Sequence, residues 1–281
     1  MIQPGTPDQI PALKAIWAAS FPEDPPEAIE DFFARCFRPE ECLTAFEGGE
    51  PVSMVFLLPA LYQRGGKAFP VQYIYAAATL PAWRGRGIFG ALLRGALEEG
   101  RRRGQFASFL HPGEPSLAAY YGRFGYRAGF RAAVDRLNRE EMLTAGGSAA
   151  GIRLLACCPD YAARRDRLLA GSGAYVKWEE RLAGLAVSSA VSAGGGVLAG
   201  PDGLALCEPS GGVLAVRELL CPPQRRADYL CALAAQFDAP AYHIHRPAQA
   251  GETGETVGLI RPLHPEAEDW DAASYMGLTL E

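Results

Sequence analysis

The segment Thr79-Leu-Pro-Ala-Trp-Arg-Gly-Arg-Gly-Ile-Phe-Gly-Ala-Leu-Leu93 decides the fold of the first half of this chain. A β-branched and apolar run over residues 71–80 leads into it, and we predict a strand at about 69–79. Apolar residues at spacings of three and four follow it and predict a helix over 88–103. The turn between the predicted strand and helix holds Arg84, Gly85, Arg86, Gly87 and Gly90.

This turn has the composition of an anion-binding site. Glycines let the backbone approach a ligand, and the first N–H groups of a helix have no acceptor within it. The helix dipole and the two arginines add attraction for negative charge, so the expected ligand is a phosphate or pyrophosphate. A nucleotide P-loop is excluded because no Gly-Lys-Ser/Thr ends the turn, and the glycines do not space as GxGxxG. The alternative is an ordinary turn with solvated arginines.

The turn resembles the Arg/Gln-x-x-Gly-x-Gly/Ala signature of the GNAT acetyltransferases, which holds the pyrophosphate of acetyl-coenzyme A. Arg84 matches the first position and Gly87 the fourth, whereas Phe89 occupies the sixth. A backbone N–H contact survives this change of side chain. The resemblance implies that acetyl-coenzyme A is the cosubstrate. It also implies that backbone groups of the preceding strand bind the pantetheine arm and the acetyl oxygen. The binding residues that it implies are Ala77, Ala78, Thr79, Arg84, Gly85, Arg86, Gly87, Ile88, Phe89 and Gly90.

A second segment, Ser116-Leu-Ala-Ala-Tyr-Tyr-Gly-Arg-Phe-Gly-Tyr126, resembles the GNAT segment that ends in Tyr-x-x-x-Gly-Phe. Its last six residues resemble in particular the enhanced-intracellular-survival (Eis) type of acetyltransferase. The resemblance implies that Tyr121 is the general acid that protonates the departing coenzyme A thiolate. Ser116 is expected to cap the following helix and to border the thiol end. The alternative for Tyr121 is a half-buried aromatic residue with a satisfied hydroxyl.

The general base stays open at this level. In Eis-type enzymes it is the terminal carboxylate, delivered by a third, sterol-carrier-like domain for which we expect no room in 281 residues. Glu281 is therefore one alternative. The others are Glu114 and His111, which follow a predicted strand at 106–110, and water.

The second half of the sequence repeats the predicted element order of the first, two helices, three strands, a helix and a strand, as a duplicated domain would. We expect an α/β fold with mixed sheets: a catalytic GNAT domain at 1–140, a Gly-rich connector, and a degenerate GNAT-like domain at 152–281. The equivalent turn, residues 220–224, has no glycine and two prolines that remove N–H donors. A helix at 174–190 and a final strand at 273–280 belong to this expectation.

Composition narrows the class of protein further. A net charge of −5 argues against nucleic acid as a partner. It suits a cationic or amine substrate but is also an ordinary charge for an enzyme, so composition sets no substrate, and the small-molecule or peptide amine acceptor is what the family resemblance implies. An odd count of seven cysteines, no CxxC pair and no leader segment indicate reduced thiols in the cytoplasm and no metal site. No apolar run reaches the ~18–20 residues of a membrane span. The oligomeric state stays open, a homo-oligomer included.

The leading hypothesis is an acetyl-coenzyme A-dependent N-acetyltransferase that acts on a primary amine by direct attack. One alternative is a non-catalytic coenzyme A sensor or interaction protein on the same fold, which would bind without turnover. Another is transfer of a larger acyl or aminoacyl group. The sequence leaves the acceptor open among polyamines, aminoglycoside-like sugars, amino acids and lysine side chains.

Overall fold

A computed structural model describes residues 1–280 of the chain. The first half contains ten helices and strands in this part of the molecule: β1 Ile2–Pro4, α1 Ile10–Ser20, α2 Pro26–Arg35, β2 Cys42–Glu47, β3 Glu50–Arg64, β4 Lys67–Thr79, α3 Ile88–Arg102, β5 Ala107–Leu110, α4 Leu117–Gly122 and β6 Arg127–Asn138. Short 3-10 turns precede α1, β2 and α3.

The second half continues with α5 Arg139–Leu143, β7 Arg153–Leu155, α6 Tyr161–Leu169, β8 Tyr175–Trp178, α7 Glu180–Ser192, β9 Gly196–Ala199, β10 Leu204–Ser210, β11 Val213–Leu220, α8 Arg226–Gln236, β12 Ala241–Arg246 and β13 Glu255–Pro262. No helix among residues 1–280 combines the length and the apolar character that crossing a membrane requires.

The chain divides into two compact units, and each takes a segment from the other half of the sequence. The first unit comprises residues 1–62, 66–129 and 258–271, and the second comprises 63–65, 130–257 and 272–281. This division differs from the expected domains 1–140 and 152–281, because most of β6 belongs to the second unit and the end of β13 belongs to the first. Strand pairing is the physical reason: β6 pairs with β12, whereas Leu259 to Pro262 pair with β5.

In the first unit the strands lie in the order β1-β2-β3-β4-β5-β13. Strands β2 and β3 pair antiparallel, whereas β4 and β5 pair parallel across the helical connection α3. The apolar face of α3 packs on the sheet through Leu92, Leu93, Ala96 and Leu97, as the spacing in the sequence predicts. The C-terminal end of β4 and the start of α3 therefore lie at one edge of a well-packed sheet.

In the second unit the strands lie in the order β7-β9-β10-β11-β12-β6. Strands β9, β10 and β11 pair antiparallel, and β11 pairs parallel with β12 across α8. The second unit thus repeats the strand order of the first, with β7, β9, β10, β11 and β12 in the places of β1, β2, β3, β4 and β5. Tyr229, Leu230 and Leu233 of α8 pack into the core of this unit as α3 does in the first.

Two expected elements of the second half are wrong. The segment expected as one helix at 174–190 forms strand β8 and then helix α7. The buried side chains of Val176 and Trp178 lie two residues apart, the spacing of one face of a strand, before Glu180 starts the helix. The expected strand at 273–280 is irregular, with one isolated parallel bridge from Tyr275 to Tyr175. The carbonyl of Met276 there accepts hydrogen bonds from the side chains of Arg165 and Trp178.

Candidate active site

A cavity of about 1750 Å³ opens in the first unit, where β4 ends and α3 begins. Its walls come from the end of β4, the turn before α3, one face of α3, the segment of α4 and a side chain of β13. Ten of the twelve residues expected at the site line this cavity: Ala77, Ala78, Thr79, Arg84, Gly85, Gly87, Ile88, Phe89, Gly90 and Tyr121. Arg86 and Ser116 do not line it.

The turn at residues 85–90 presents its backbone to the cavity. Gly85 and Gly87 have φ angles of +76° and +77°, a region that favours glycine, and no protein atom lies within 4 Å of the position of a Cβ on either. Gly87 precedes α3, and its carbonyl accepts the hydrogen bond from Ala91 N–H at 3.0 Å. The N–H groups before Ala91 therefore have no acceptor inside the helix and can bind an anion.

The two arginines of this turn take different positions. The Arg84 Nε donates to the carbonyl oxygen of Thr79 at 3.0 Å, which ties the turn to the end of β4. The guanidinium of Arg86 stacks over the ring of Trp83, 4.6 Å from its centroid, and lies off the cavity wall. The side chain of Arg86 therefore does not line the cavity, because the aromatic face of Trp83 attracts its positive charge.

The end of β4 departs from regular strand geometry. Ala76 has a φ of +42°, which for a residue with a Cβ costs on the order of 1–3 kcal/mol. Just beyond it, Ser53 Oγ donates to the carbonyl oxygen of Ala78 at 2.7 Å and lies 2.8 Å from Thr79 Oγ1. The hydroxyl of Thr79 is therefore engaged by the neighbouring strand. The sequence offered no signal for the strained backbone at Ala76.

Tyr121 lies in α4 with 8% of its surface exposed. Its ring packs edge-on against Phe89, Tyr120 and Tyr126, at centroid distances of 6.3, 5.7 and 5.7 Å. Burial, and secondarily Tyr120, raise the pKa of Tyr121 to about 12, so the phenol is fully protonated at neutral pH. The side chain faces the cavity and carries a proton that it can donate in a hydrogen bond.

Ser116 does not act as the expected helix cap. It occupies the position before α4, but its backbone is helical and its side chain makes no capping hydrogen bond. Its Oγ donates instead to Glu114 Oε2 at 3.1 Å. Of the candidate bases, Glu114 lines the cavity and is exposed, whereas His111 does not line it. Glu281 lies outside the described residues.

Four arginines of the cavity wall were not among the predicted site residues: Arg94, Arg101, Arg123 and Arg261. The first two recur at a spacing of seven on α3, which places them on one helix face, and that spacing was a signal. Arg261 lies in β13, far along the chain, and only the pairing of β13 with β5 places it here. Its Nε is buried without a hydrogen-bond partner.

The site thus combines a backbone anion turn, a protonated phenol and a surplus of arginine in one cavity. Nothing in residues 1–280 groups three His, Cys, Asp or Glu side chains in a way that would hold a metal ion. Chemically, the arrangement can hold a long phosphorylated ligand along α3 and donate a hydrogen bond to it from Tyr121.

Residues 1–129 match the model of an acetyltransferase (GNAT) domain. No curated protein matches the chain.

Among solved structures, a GCN5-related N-acetyltransferase from Kribbella flavida is 21% identical with a TM-score of 0.70, over 94% of this chain and 72% of that chain. Eis1 from Mycobacterium abscessus is 20% identical with a TM-score of 0.69, over 95% of this chain and 75% of that chain. A probable N-acyltransferase from Enterococcus faecalis V583 is 15% identical with a TM-score of 0.72, over 94% and 72%. Such identities establish the fold, and the expected mixed α/β class is confirmed.

Proposed function

Residues 1–129 of this chain match the model of an acetyltransferase (GNAT) domain, and from that premise we propose that the protein transfers an acetyl group from acetyl-coenzyme A to a primary amine. The family implies acyl transfer from an acyl-coenzyme A donor. The observation that carries the finer proposal is the cavity that is lined both by residues of the anion turn at 85–90 and by Tyr121.

The donor would lie with its pyrophosphate on the N–H groups of residues 85–90. Its pantetheine arm would run along the end of β4, where Ala77 and Ala78 line the cavity. The amine nitrogen attacks the thioester carbon, the N–C bond forms and the C–S bond breaks. The amine loses its proton to water or to Glu114, and Tyr121 donates a hydrogen bond to the departing sulfur.

In this proposal the second unit provides no donor site of its own. Its strand order recurs from the first unit, so we propose that it is a degenerate copy of the domain. At the position of the anion turn it has Cys221-Pro-Pro-Gln224, and α8 begins at Arg226 after a short 3-10 turn. Two prolines remove the N–H groups that an anion would need.

The seven cysteines are free thiols in the structure, which supports a reducing compartment. We therefore place the protein in the cytoplasm as part of the proposal. The acceptor class is left to experiment.

A panel of primary amines with acetyl-coenzyme A, read out by free thiol and by mass of the acetylated product, tests the proposal. We expect thiol release that depends on one amine class. Coenzyme A binding without turnover on any amine would favour the sensor, and turnover only with longer acyl-coenzyme A donors would favour the larger-acyl alternative.

Gly87→Ala tests the anion turn directly. Its Cβ would meet no protein atom within 4 Å, so only a ligand would contact it. The matched control is Gly104→Ala at the other end of α3, where φ is +69° and the Cβ position is equally open. Both variants should lose about 1–2 kcal/mol of stability from left-handed backbone. Only Gly87→Ala should weaken coenzyme A binding in calorimetry, and equal affinities of the two variants would refute the site.

A further inference from the structure

The cavity carries more positive charge than one pyrophosphate on a backbone turn requires. Five arginines line it against three glutamates, Glu23, Glu98 and Glu114. Arg84 belongs to the turn itself and Arg261 to β13. The remaining three, Arg94, Arg101 and Arg123, are exposed side chains on α3 and just after α4. An excess of cations on one wall indicates a second anionic group on the ligand.

These three arginines have no acidic partner among residues 1–280, whereas their neighbours do. Arg102 and Arg103 both bind the carboxylate of Glu99, with N–O distances of 2.6 Å. For Arg94 and Arg123 the contacts are aromatic: Arg94 Cζ lies 5.8 Å from the Phe124 ring centroid, and Arg123 Cζ lies 4.5 Å from that of Tyr120. A cation on an aromatic face keeps its N–H donors available for a ligand.

Arg94 and Arg123 converge next to the anion turn. At Gly90, in the first turn of α3, the position of a Cβ lies 3.2 Å from Phe124 Cζ, 3.6 Å from Tyr120 Oη and 3.8 Å from Arg94 Nη1. The guanidinium of Arg94 therefore points back toward the start of its helix. Burial raises the pKa of Tyr120, and Arg123 and Arg94 both act in the opposite direction, so both cations are close to its hydroxyl.

The spacing suits the donor that the proposed function requires. Gly90 lies three residues, or about 4.5 Å of helical rise, beyond Gly87. In coenzyme A the ribose follows the pyrophosphate directly and carries a 3′-phosphate monoester. Such a monoester has a charge of about −1.5 to −2 at neutral pH and three acceptor oxygens. Guanidinium groups match this geometry with paired N–H donors.

Resting on the proposed function, we propose that Arg94 and Arg123, with the hydroxyl of Tyr120, bind the 3′-phosphate of coenzyme A. The subsite makes the enzyme select the 3′-phosphorylated donor over its dephospho form. Arg101, a further seven residues or about 10.5 Å along α3, lies too far from Arg94 to share the same phosphate.

Isothermal titration of the full chain with coenzyme A and with dephospho-coenzyme A tests the proposal without any substitution. A hydrogen-bonded charge pair lost on one ligand changes affinity by about 10- to 100-fold. We expect coenzyme A to bind tighter by that factor, with the difference shrinking as salt is raised. Equal dissociation constants would overturn the subsite and leave the proposed function standing. Failure of both ligands to bind would refute the proposed function and the subsite with it.

The double variant Arg94→Gln/Arg123→Gln assigns the effect to these side chains. It should bind coenzyme A and dephospho-coenzyme A equally, at the affinity of the parent for the dephospho form. Arg102→Gln is the matched control, since Arg102 lies on the same helix but binds Glu99 and does not line the cavity. It should keep the full preference. A double variant that melts with the parent and still prefers coenzyme A would overturn the assignment.

Discussion

Replacement of Tyr121 by phenylalanine separates the chemistry of this side chain from its packing. The ring is buried among Phe89, Tyr120 and Tyr126, and phenylalanine keeps all three edge-on contacts. The hydroxyl faces the cavity and donates to no other described residue. Tyr121→Phe therefore leaves no polar group unsatisfied, and we expect its stability to stay within about 0.5 kcal/mol of the parent.

The rate effect follows from the pKa of the phenol. A pKa of about 12 in the folded protein makes Tyr121 a weaker acid than a coenzyme A thiol of pKa near ~8.5. Complete proton transfer is therefore uphill by roughly 3–4 units, or about 5 kcal/mol. Tyr121 would instead stabilise the developing thiolate by a hydrogen bond. Such a bond to a charged group is worth about 1.5–3 kcal/mol, so turnover should fall roughly 10- to 150-fold.

The assay is thiol release with a saturating amine, together with calorimetric affinity for acetyl-coenzyme A, which should change little. Tyr126→Phe is the control: Tyr126 is buried, hydrogen-bonded to Ser108 at 2.8 Å, and off the cavity wall. It should lose about 1 kcal/mol of stability with little change in turnover. Because the phenol of Tyr121 stays protonated, its ionisation should cause no alkaline loss of rate below about pH 11. Parental turnover of Tyr121→Phe would refute the role.

Two further substitutions test the close packing at Gly125 and the buried ion pair of Glu218. Gly125→Ala should lose about 1–3 kcal/mol of stability and displace Arg261, because Gly125 has a φ of +81° and a Cβ there would overlap the Arg261 guanidinium. Thermal melts measure how much more stability it loses than Gly104→Ala, whose Cβ position is open. Glu218→Gln should lose about 3–5 kcal/mol of stability in urea unfolding, because it leaves the buried Arg165 without its carboxylate partner. Glu255→Gln breaks an exposed ion pair and should lose under about 1 kcal/mol. Equal losses in the two variants would contradict this account.

Strands and helices with strong local patterns were predicted from the sequence. The strand before the anion turn and helix α3 follow from apolar spacing, and their observed bounds, Lys67–Thr79 and Ile88–Arg102, lie within two residues of the prediction. The same local pattern placed Gly85 and Gly87 in the turn, because a strand–turn–helix unit sets its own geometry over a short stretch of chain. Tyr121 was proposed instead from the family resemblance of residues 116–126.

Patterns that depend on partners were not predictable. Residues 273–280 were expected to form a strand, yet they lie as an irregular segment in which the carbonyl group of Met276 accepts hydrogen bonds from the side chains of Arg165 and Trp178. Arg86 has the sequence position of an anion ligand, but its guanidinium stacks on Trp83. In the first case side chains that are distant in the sequence compete with the local preference. In the second case the flexible side chain of Arg86 binds a neighbouring ring instead of facing the cavity.

The sequence by itself thus determined the mixed α/β class and the glycine-rich turn, because each rests on local periodicity and on a few residues close in the chain, whereas Tyr121 was proposed from the family resemblance of its segment. Only the tertiary structure decided which strands complete each unit. Pairing of β13 with β5 brings Arg261 to the wall of the cavity, about 140 residues after the nearest site element of the first half. Strand edges carry no record of their partner in the sequence, since any edge offers the same N–H and C=O groups.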